Sequence, residues 1–209
     1  MLKRKILNDL IEWKNRKNKK SLIVSGARQV GKTFIIERFG LLYYEETVEI
    51  NFKETPSAKD IFSQDLDVET LIMSLKFRFP EKKINPGRTL LFFDEIQECG
   101  EAVTALKFLT EDKRFDVIVS GSLLGIDYNR VSSYPVGYVD HLHMYALDFE
   151  EFLWAMGISD DMIHSLSEMF LKRKVVPETI NTQMMSFFRS FLAIGGMPEA
   201  VWQYVNRSE

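Results

Sequence analysis

The residues Gly26-Ala27-Arg28-Gln29-Val30-Gly31-Lys32-Thr33 match the pattern G-x-x-x-x-G-K-[ST] at each fixed position. Each residue type answers a demand of phosphate chemistry. Glycines at 26 and 31 free the backbone to turn, so that successive N–H groups converge on phosphate oxygens. A helix opening near Lys32 adds the positive end of its dipole. The Lys32 ammonium is a point charge for the β- and γ-phosphates, and the Thr33 hydroxyl is a ligand for Mg²⁺. Ala27, Arg28, Gln29 and Val30 complete the cradle. The pattern does not demand an arginine at position 28, and contact with a partner and plain solvation are equal readings of it.

A second group lies downstream. Leu90-Leu91-Phe92-Phe93 is an apolar run that ends in Asp94-Glu95. After a phosphate loop, Asp94 is expected on the metal, directly or through water, and Glu95 on the attacking water. A guanine reader of the form Asn-Lys-x-Asp is not in the sequence. A kinase of small molecules would use its substrate's hydroxyl as nucleophile and would not need Glu95, so the acid pair favours hydrolysis. A further apolar run, Val117-Ile118-Val119, ends in Ser120. Ser120 is the candidate to sense the γ-phosphate, with Ser122 in reserve and a turn serine as the alternative.

These residues need elements to hold them. Ile6, Leu7, Leu10 and Ile11 fall at helical spacing. The run from Arg16 to Lys20 reads as a solvated turn, with contact to a phosphate backbone as the alternative. Buried parallel strands are expected at Ser21–Ser25, Thr89–Phe93 and Phe115–Val119, with further strands at Thr47–Phe52 and Tyr138–Leu147. Helices are expected at Phe34–Phe39, Asp65–Phe79 and Ala102–Leu109, with a helical region opening at Pro56. Asp148 and Glu151 have capping-box spacing ahead of a helix from Phe149 to Met156. Asp127–Ser133 is polar and reads as a loop. Alternation of strand and helix through Leu147 argues for a parallel sheet covered on both faces. After Gly157 the pattern is helical, at Asp160–Lys172 and Thr179–Ile194. The domain boundary is therefore expected near Gly157, with residues 1–157 in a nucleotide domain and 158–209 in a helical region.

Composition narrows the class. The chain has 209 residues, 45% hydrophobic, with a net charge of −3. That balance gives no case for wrapping nucleic acid with the whole surface. The single cysteine, Cys99, cannot make an internal disulfide, and a reducing cytoplasm is the default compartment. No signal-peptide core or membrane span is expected. His141 and His143 alternate on a strand without an evident third ligand, and Phe187, Phe188 and Phe191 fall at helical spacing as core residues or as a face left exposed by truncation, ahead of a stacking platform for bases.

Together the motifs resemble the AAA+ superfamily. More narrowly, they resemble a bacterial and archaeal family of ATP-binding proteins that pair an AAA+ domain with a C-terminal domain of unknown function (DUF4143-like). The resemblance is carried by Gly26 to Thr33, by Leu91-Phe92-Phe93-Asp94-Glu95-Ile96-Gln97 and by Val119-Ser120-Gly121-Ser122. Tyr145 to Leu153 and Ile194-Gly195-Gly196-Met197-Pro198-Glu199-Ala200-Val201 add to it. It implies an α/β P-loop NTPase sandwich of three layers with a central parallel sheet in the order 5-1-4-3-2, followed by a helical extension. It implies ATP as the nucleotide, and a chain that stops earlier than family members do.

The family pattern also includes an arginine finger and a second sensor arginine. Here Tyr138 stands where a basic residue is common, and Arg130 is the candidate nearby. Without a finger in cis, hydrolysis is expected to be slow. The leading expectation is a slow Mg²⁺-dependent ATPase that couples nucleotide state to a conformational change. The expected partners are ATP and ADP, and a protein partner or a second copy through the C-terminal region. A non-hydrolysing nucleotide switch or scaffold and a DNA-associated module are the alternatives.

Overall fold

The computed structural model describes residues 2–121 and 135–207. Its packing falls into two compact units, one of Leu7–Met144 and one of Met1–Ile6 with Tyr145–Glu209.

The larger unit is built on five parallel strands: β1 (Ser21–Gly26), β2 (Glu46–Asn51), β3 (Thr89–Asp94), β4 (Asp116–Gly121) and β5 (Val139–Met144). Their order across the sheet is β2-β3-β4-β1-β5. This is the expected order, counted from the opposite edge. β1 and β3 are buried at every position, as befits strands covered on both faces. The edge strands differ. In β2 only Val48 and Ile50 are buried, and β5 keeps Asp140, His141 and His143 at least partly open, so both edges carry polar groups.

Among the described residues, four helices serve this unit: α1 (Ile6–Asn15), α2 (Lys32–Tyr43), α3 (Val68–Arg78) and α4 (Gly100–Asp112). One face of the sheet, with Ile23, Val48, Ile50, Leu91, Phe93, Val117 and Val119, packs under α3 and α4. Phe52, Phe62 and Phe93 meet there, with ring centroids 5.4 to 6.1 Å apart. Strand alternation turns Leu90 to the other face, where α2 lies so close that a Cβ on Gly40 would stand 3.3 Å from the Leu90 side chain. The helical region opening at Pro56 is a 3-10 segment, Pro56–Phe62. α3 starts three residues later than the expected Asp65, because the Asp67 carboxylate accepts from the Thr70 N–H and fixes the first turn there.

The smaller unit holds α5 (Phe149–Ala155), α6 (Asp160–Leu171), α7 (Glu178–Ile194) and α8 (Pro198–Arg207). The capping box is present: Glu151 N–H donates to Asp148 Oδ1 at 2.9 Å, and Asp148 N–H to Glu151 Oε2 at 3.2 Å. Glu151 also takes the Arg4 Nε–H at 3.1 Å and the Lys5 N–H at 2.7 Å on Oε1. Leu147, Phe152 and Val201 form the buried centre of this unit, with Phe149, Phe187 and Phe191 packed around it. Among the described residues, no helix is long and apolar enough to cross a membrane.

Candidate functional site

The glycine loop joins β1 to α2. Its geometry needs the residues it has. Gly26 ends β1 opposite Met144 of β5, and a Cβ there would stand 2.2 Å from the Met144 carbonyl oxygen. Gly31 caps α2 in the left-handed region at φ 94°, and Gln29 also has a positive φ of 65°. No side chain caps α2, and its first turn carries no acid, so its leading N–H groups remain available to an anion. Val30 is buried and anchors the loop, whereas Ala27, Arg28 and Gln29 are exposed around it.

The Lys32 ammonium folds back over the loop. Its Nζ donates to the Gly26 carbonyl at 3.0 Å and to the Ala27 carbonyl at 2.8 Å. Burial holds this ammonium below the usual lysine range, and Arg28 adds to the effect against the opposing charges of Glu95 and Asp94. Phosphate oxygens are stronger acceptors than two neutral carbonyls, so the charge is placed to exchange partners.

Asp94 is the hub of the site. It ends β3 and is 3% exposed. Thr33 Oγ1 donates to its Oδ2 at 2.9 Å, and Asn51 Nδ2 to the same oxygen at 3.2 Å. The fully buried Ser120 hydroxyl and the Glu95 N–H, the latter at 3.0 Å, donate to Oδ1. Donors from four elements fix this carboxylate in one orientation. Thr33 and Asp94 are hard oxygen donors of the kind Mg²⁺ takes, and together with Lys32 and the uncapped α2 terminus they fit a phosphate–metal pair.

Glu95 follows in a left-handed conformation, φ 52° and ψ 44°, which a residue with a Cβ adopts only when its surroundings impose it. Gln97 supplies part of that constraint, since its Nε2 donates to Glu95 Oε2. Among the described residues the buried Gln97 Oε1 has no hydrogen-bond partner, and it lies where a Cβ on Gly121 would be only 2.5 Å away.

The structure thus brings together Gly26, Gly31, Lys32, Thr33, Asp94, Glu95 and Ser120. Ser120 enters the cluster through Asp94, its hydroxyl being committed to that carboxylate. Ser122, Arg130 and the Asp127–Ser133 segment lie outside the described residues. Tyr138 is described, and its carbonyl accepts from Thr110 at the start of β5. Two residues went unread as site residues. Asn51 pairs in register with Asp94 across β2 and β3, and a polar amide at the end of an alternating strand was its only signal. Gln97, two residues past Glu95, closes the motif that carries the resemblance, and that was its only signal. Cys99 is buried and its thiol is pushed up to about 11, chiefly by burial, which leaves it inert.

No curated protein matches the chain. A family model described as an AAA domain matches residues 18–153, most of the chain and all of the cluster around Asp94, so the chain belongs to the AAA domain family of nucleotide-binding P-loop proteins.

Proposed function

We propose that the protein binds ATP with Mg²⁺ and hydrolyses it slowly, using the nucleotide state to drive a conformational change. The observation that carries this reading is the 2.9 Å hydrogen bond from Thr33 Oγ1 to Asp94 Oδ2 in front of the uncapped α2 terminus. It sets two metal-type oxygens beside the phosphate cradle. In this reading the loop from Gly26 to Gly31 wraps the phosphates through its backbone, with Ala27, Arg28, Gln29 and Val30 in the wrap. Lys32 moves from the Gly26 and Ala27 carbonyls onto phosphate oxygens. Thr33 and Asp94 hold Mg²⁺, which supplies charge neutralisation at the transferring phosphoryl group. Glu95 orients and polarises the attacking water. Ser120, bonded to Asp94, answers the γ-phosphate through that carboxylate, and Asn51 holds the same group from β2.

Hydrolysis is slow in this reading because the Glu95 carboxylate is engaged by Gln97 and has to leave that bond to serve water. The same hydrogen bond supports the second reading, a nucleotide switch with negligible turnover. The working compartment would be the cytoplasm, and the partner moved by the change would be the C-terminal helical region, a second copy or another protein. The helices after Gly157 would open a C-terminal domain of the DUF4143-like kind.

Glu95→Gln tests the reading. ATP affinity by calorimetry should stay within about twofold of wild type, and steady-state phosphate release should fall by about 10² or more. Undiminished release from that variant would sink the role given to Glu95. No release from wild type at any protein concentration, with ATP bound, would favour the switch.

A further inference from the structure

The sheet has a second cleft, at the edge opposite the glycine loop. It lies within the larger unit, where β1 and β4 begin, between the last turns of α1 and α4, and has a volume of about 210 Å³. Lys14, Lys17, Lys19, Lys20, Lys113 and Arg114 line it, against one carboxylate, Asp116.

Most of that charge is uncompensated. Asp116 is already engaged, by Lys19 Nζ at 3.1 Å and by the Tyr44 hydroxyl, which donates to it at 2.7 Å. Arg114 pairs with Glu69 at 2.7 Å and with Asp112 at 2.8 Å. Lys14, Lys17, Lys20 and Lys113 have no ion pair among the described residues, and Lys14 is held instead over the Tyr44 ring, 3.6 Å from its centroid. Burial lowers the Lys14 ammonium, with Lys19 adding to this against Asp116, so the cluster already bears mutual repulsion.

The ends of α1 and α4 account for part of this arrangement. Cations beside a helix C-terminus are favourable, but each terminus is equivalent to only about half a negative charge. Two termini balance about one cation of the excess. The protein as a whole is acidic, with a net charge of −3, so the cleft is a local reversal of its field.

We propose that this cleft binds the phosphate backbone of a nucleic acid. One inorganic phosphate, at no more than two negative charges, would leave most of the excess unanswered, whereas successive phosphodiesters supply one charge each to the lysines that line the cleft. The cleft presents no open aromatic face, since Trp13 in its wall is 2% exposed. Recognition is therefore of the backbone, without base stacking and without sequence preference.

The test is fluorescence anisotropy of a labelled mixed-sequence oligonucleotide, single-stranded and duplex, with the full chain at about 50 to 200 mM salt. The triple variant Lys17→Gln/Lys20→Gln/Lys113→Gln removes three unpaired, half-exposed or exposed charges, and thermal unfolding checks that it keeps its fold. Wild type should bind, with log K falling linearly as log salt rises. The triple variant should lose about tenfold or more, and its salt slope should fall by about two to three. The matching Lys→Arg triple variant should retain binding. Absence of binding at the lowest salt, or equal binding by the Gln variant, overturns the proposal. So does tighter binding to phosphatidylserine vesicles than to the oligonucleotide, or equal competition by inorganic phosphate. None of these readouts involves ATP, so failure here is separate from failure of the hydrolysis reading.

Discussion

The two units apply the same helical code to different ends. In the Leu7–Met144 unit, amphipathic helices meet a sheet whose inner strands are buried at every position but Asp116, and α2, α3 and α4 each bury three or more residues. In the other unit, α6 and α7 are as clearly amphipathic in sequence, yet neither has a buried residue. Phe170, Leu171 and Val175 there are between 77% and 92% exposed. The difference teaches that an apolar stripe states a need for a partner surface and not its presence. A parallel sheet provides two such surfaces at once, and the helices α5 to α8 provide a small one, centred on Leu147, Phe152 and Val201.

If this contrast is right, core truncations should hurt the sheet unit most. Phe93→Ala empties the centre of the Phe52–Phe62–Phe93 group and should cost about 3–5 kcal/mol in urea unfolding. Phe188 is 38% exposed, and its ring meets Phe149 with centroids 5.3 Å apart. Phe188→Ala should cost no more than about 1 kcal/mol. Similar costs for the two would break the comparison.

The helical unit should show its stability in a polar anchor instead. The Arg4–Glu151 pair is buried, with side chains 8% and 6% exposed, and Arg4 Nη2 also donates to the Tyr145 carbonyl at 2.7 Å. Arg4→Met leaves the Glu151 carboxylate uncompensated and should cost about 3 kcal/mol. Arg4→Met with Glu151→Leu should be milder than Arg4→Met alone, because the orphaned charge goes with it. A double variant worse than the single would show that packing, and not charge, is what Arg4 supplies. A smaller kinetic effect sharpens the contrast from the sheet side. Gln97→Ala should raise ATP turnover several-fold at unchanged ATP affinity, if Gln97 restrains Glu95.

How far the sequence could be read follows the same division. Every strand of the sheet was legible: β1, β3 and β4 as apolar runs ending in glycine, acid or serine, and the edge strands β2 and β5 by alternation of apolar and polar residues. The loop from Gly26 to Thr33 was legible because its spacing is dictated by phosphate. Asn51 was not, since its role exists only through register with Asp94 across two strands. Glu95 in a left-handed conformation was not either, since nothing local asks a glutamate to adopt one. In the helical unit α8 went unread: Pro198 opens it at its first position just after Gly195-Gly196, and glycines followed by a proline read as a turn. The packing division falls at Met144, whereas the change of pattern falls near Gly157. The reason is α5, whose Phe149 and Phe152 would suit a sheet face as well as they suit α7 and α8. Limited proteolysis, with cleavage before or after α5, discriminates the two boundaries.

The last contrast is in pH dependence, and it should be the smallest to measure. Glu49 on β2 faces a groove of about 340 Å³ shared with Glu37, and its carboxyl is pushed up to about 7 by burial and then by the charges of Glu37, Asp94 and Glu54. A carboxyl that rises on folding binds its proton more tightly in the native state than in the unfolded chain. Stability of the sheet unit should therefore fall as pH rises from about 4.5 to about 7. Asp148 has the opposite sign. Burial alone would raise it, but the Lys5 ammonium and the Glu151 N–H outweigh burial and hold it below its ordinary 3.8. Its contribution to the helical unit is present above 3.8 and lost as the pH falls through the lowered value. Melting curves of wild type should decline on both sides. Glu49→Gln should flatten only the neutral branch and Asp148→Asn only the acidic one. A neutral branch that survives Glu49→Gln would mean that another acid with a raised carboxyl, Glu37 first, carries the titration. The Asp94 charge contributes to the rise of both Glu37 and Glu49, so bound Mg²⁺ at Asp94 should shift the neutral branch to lower pH, tying the stability of the sheet unit to the occupancy of its own site.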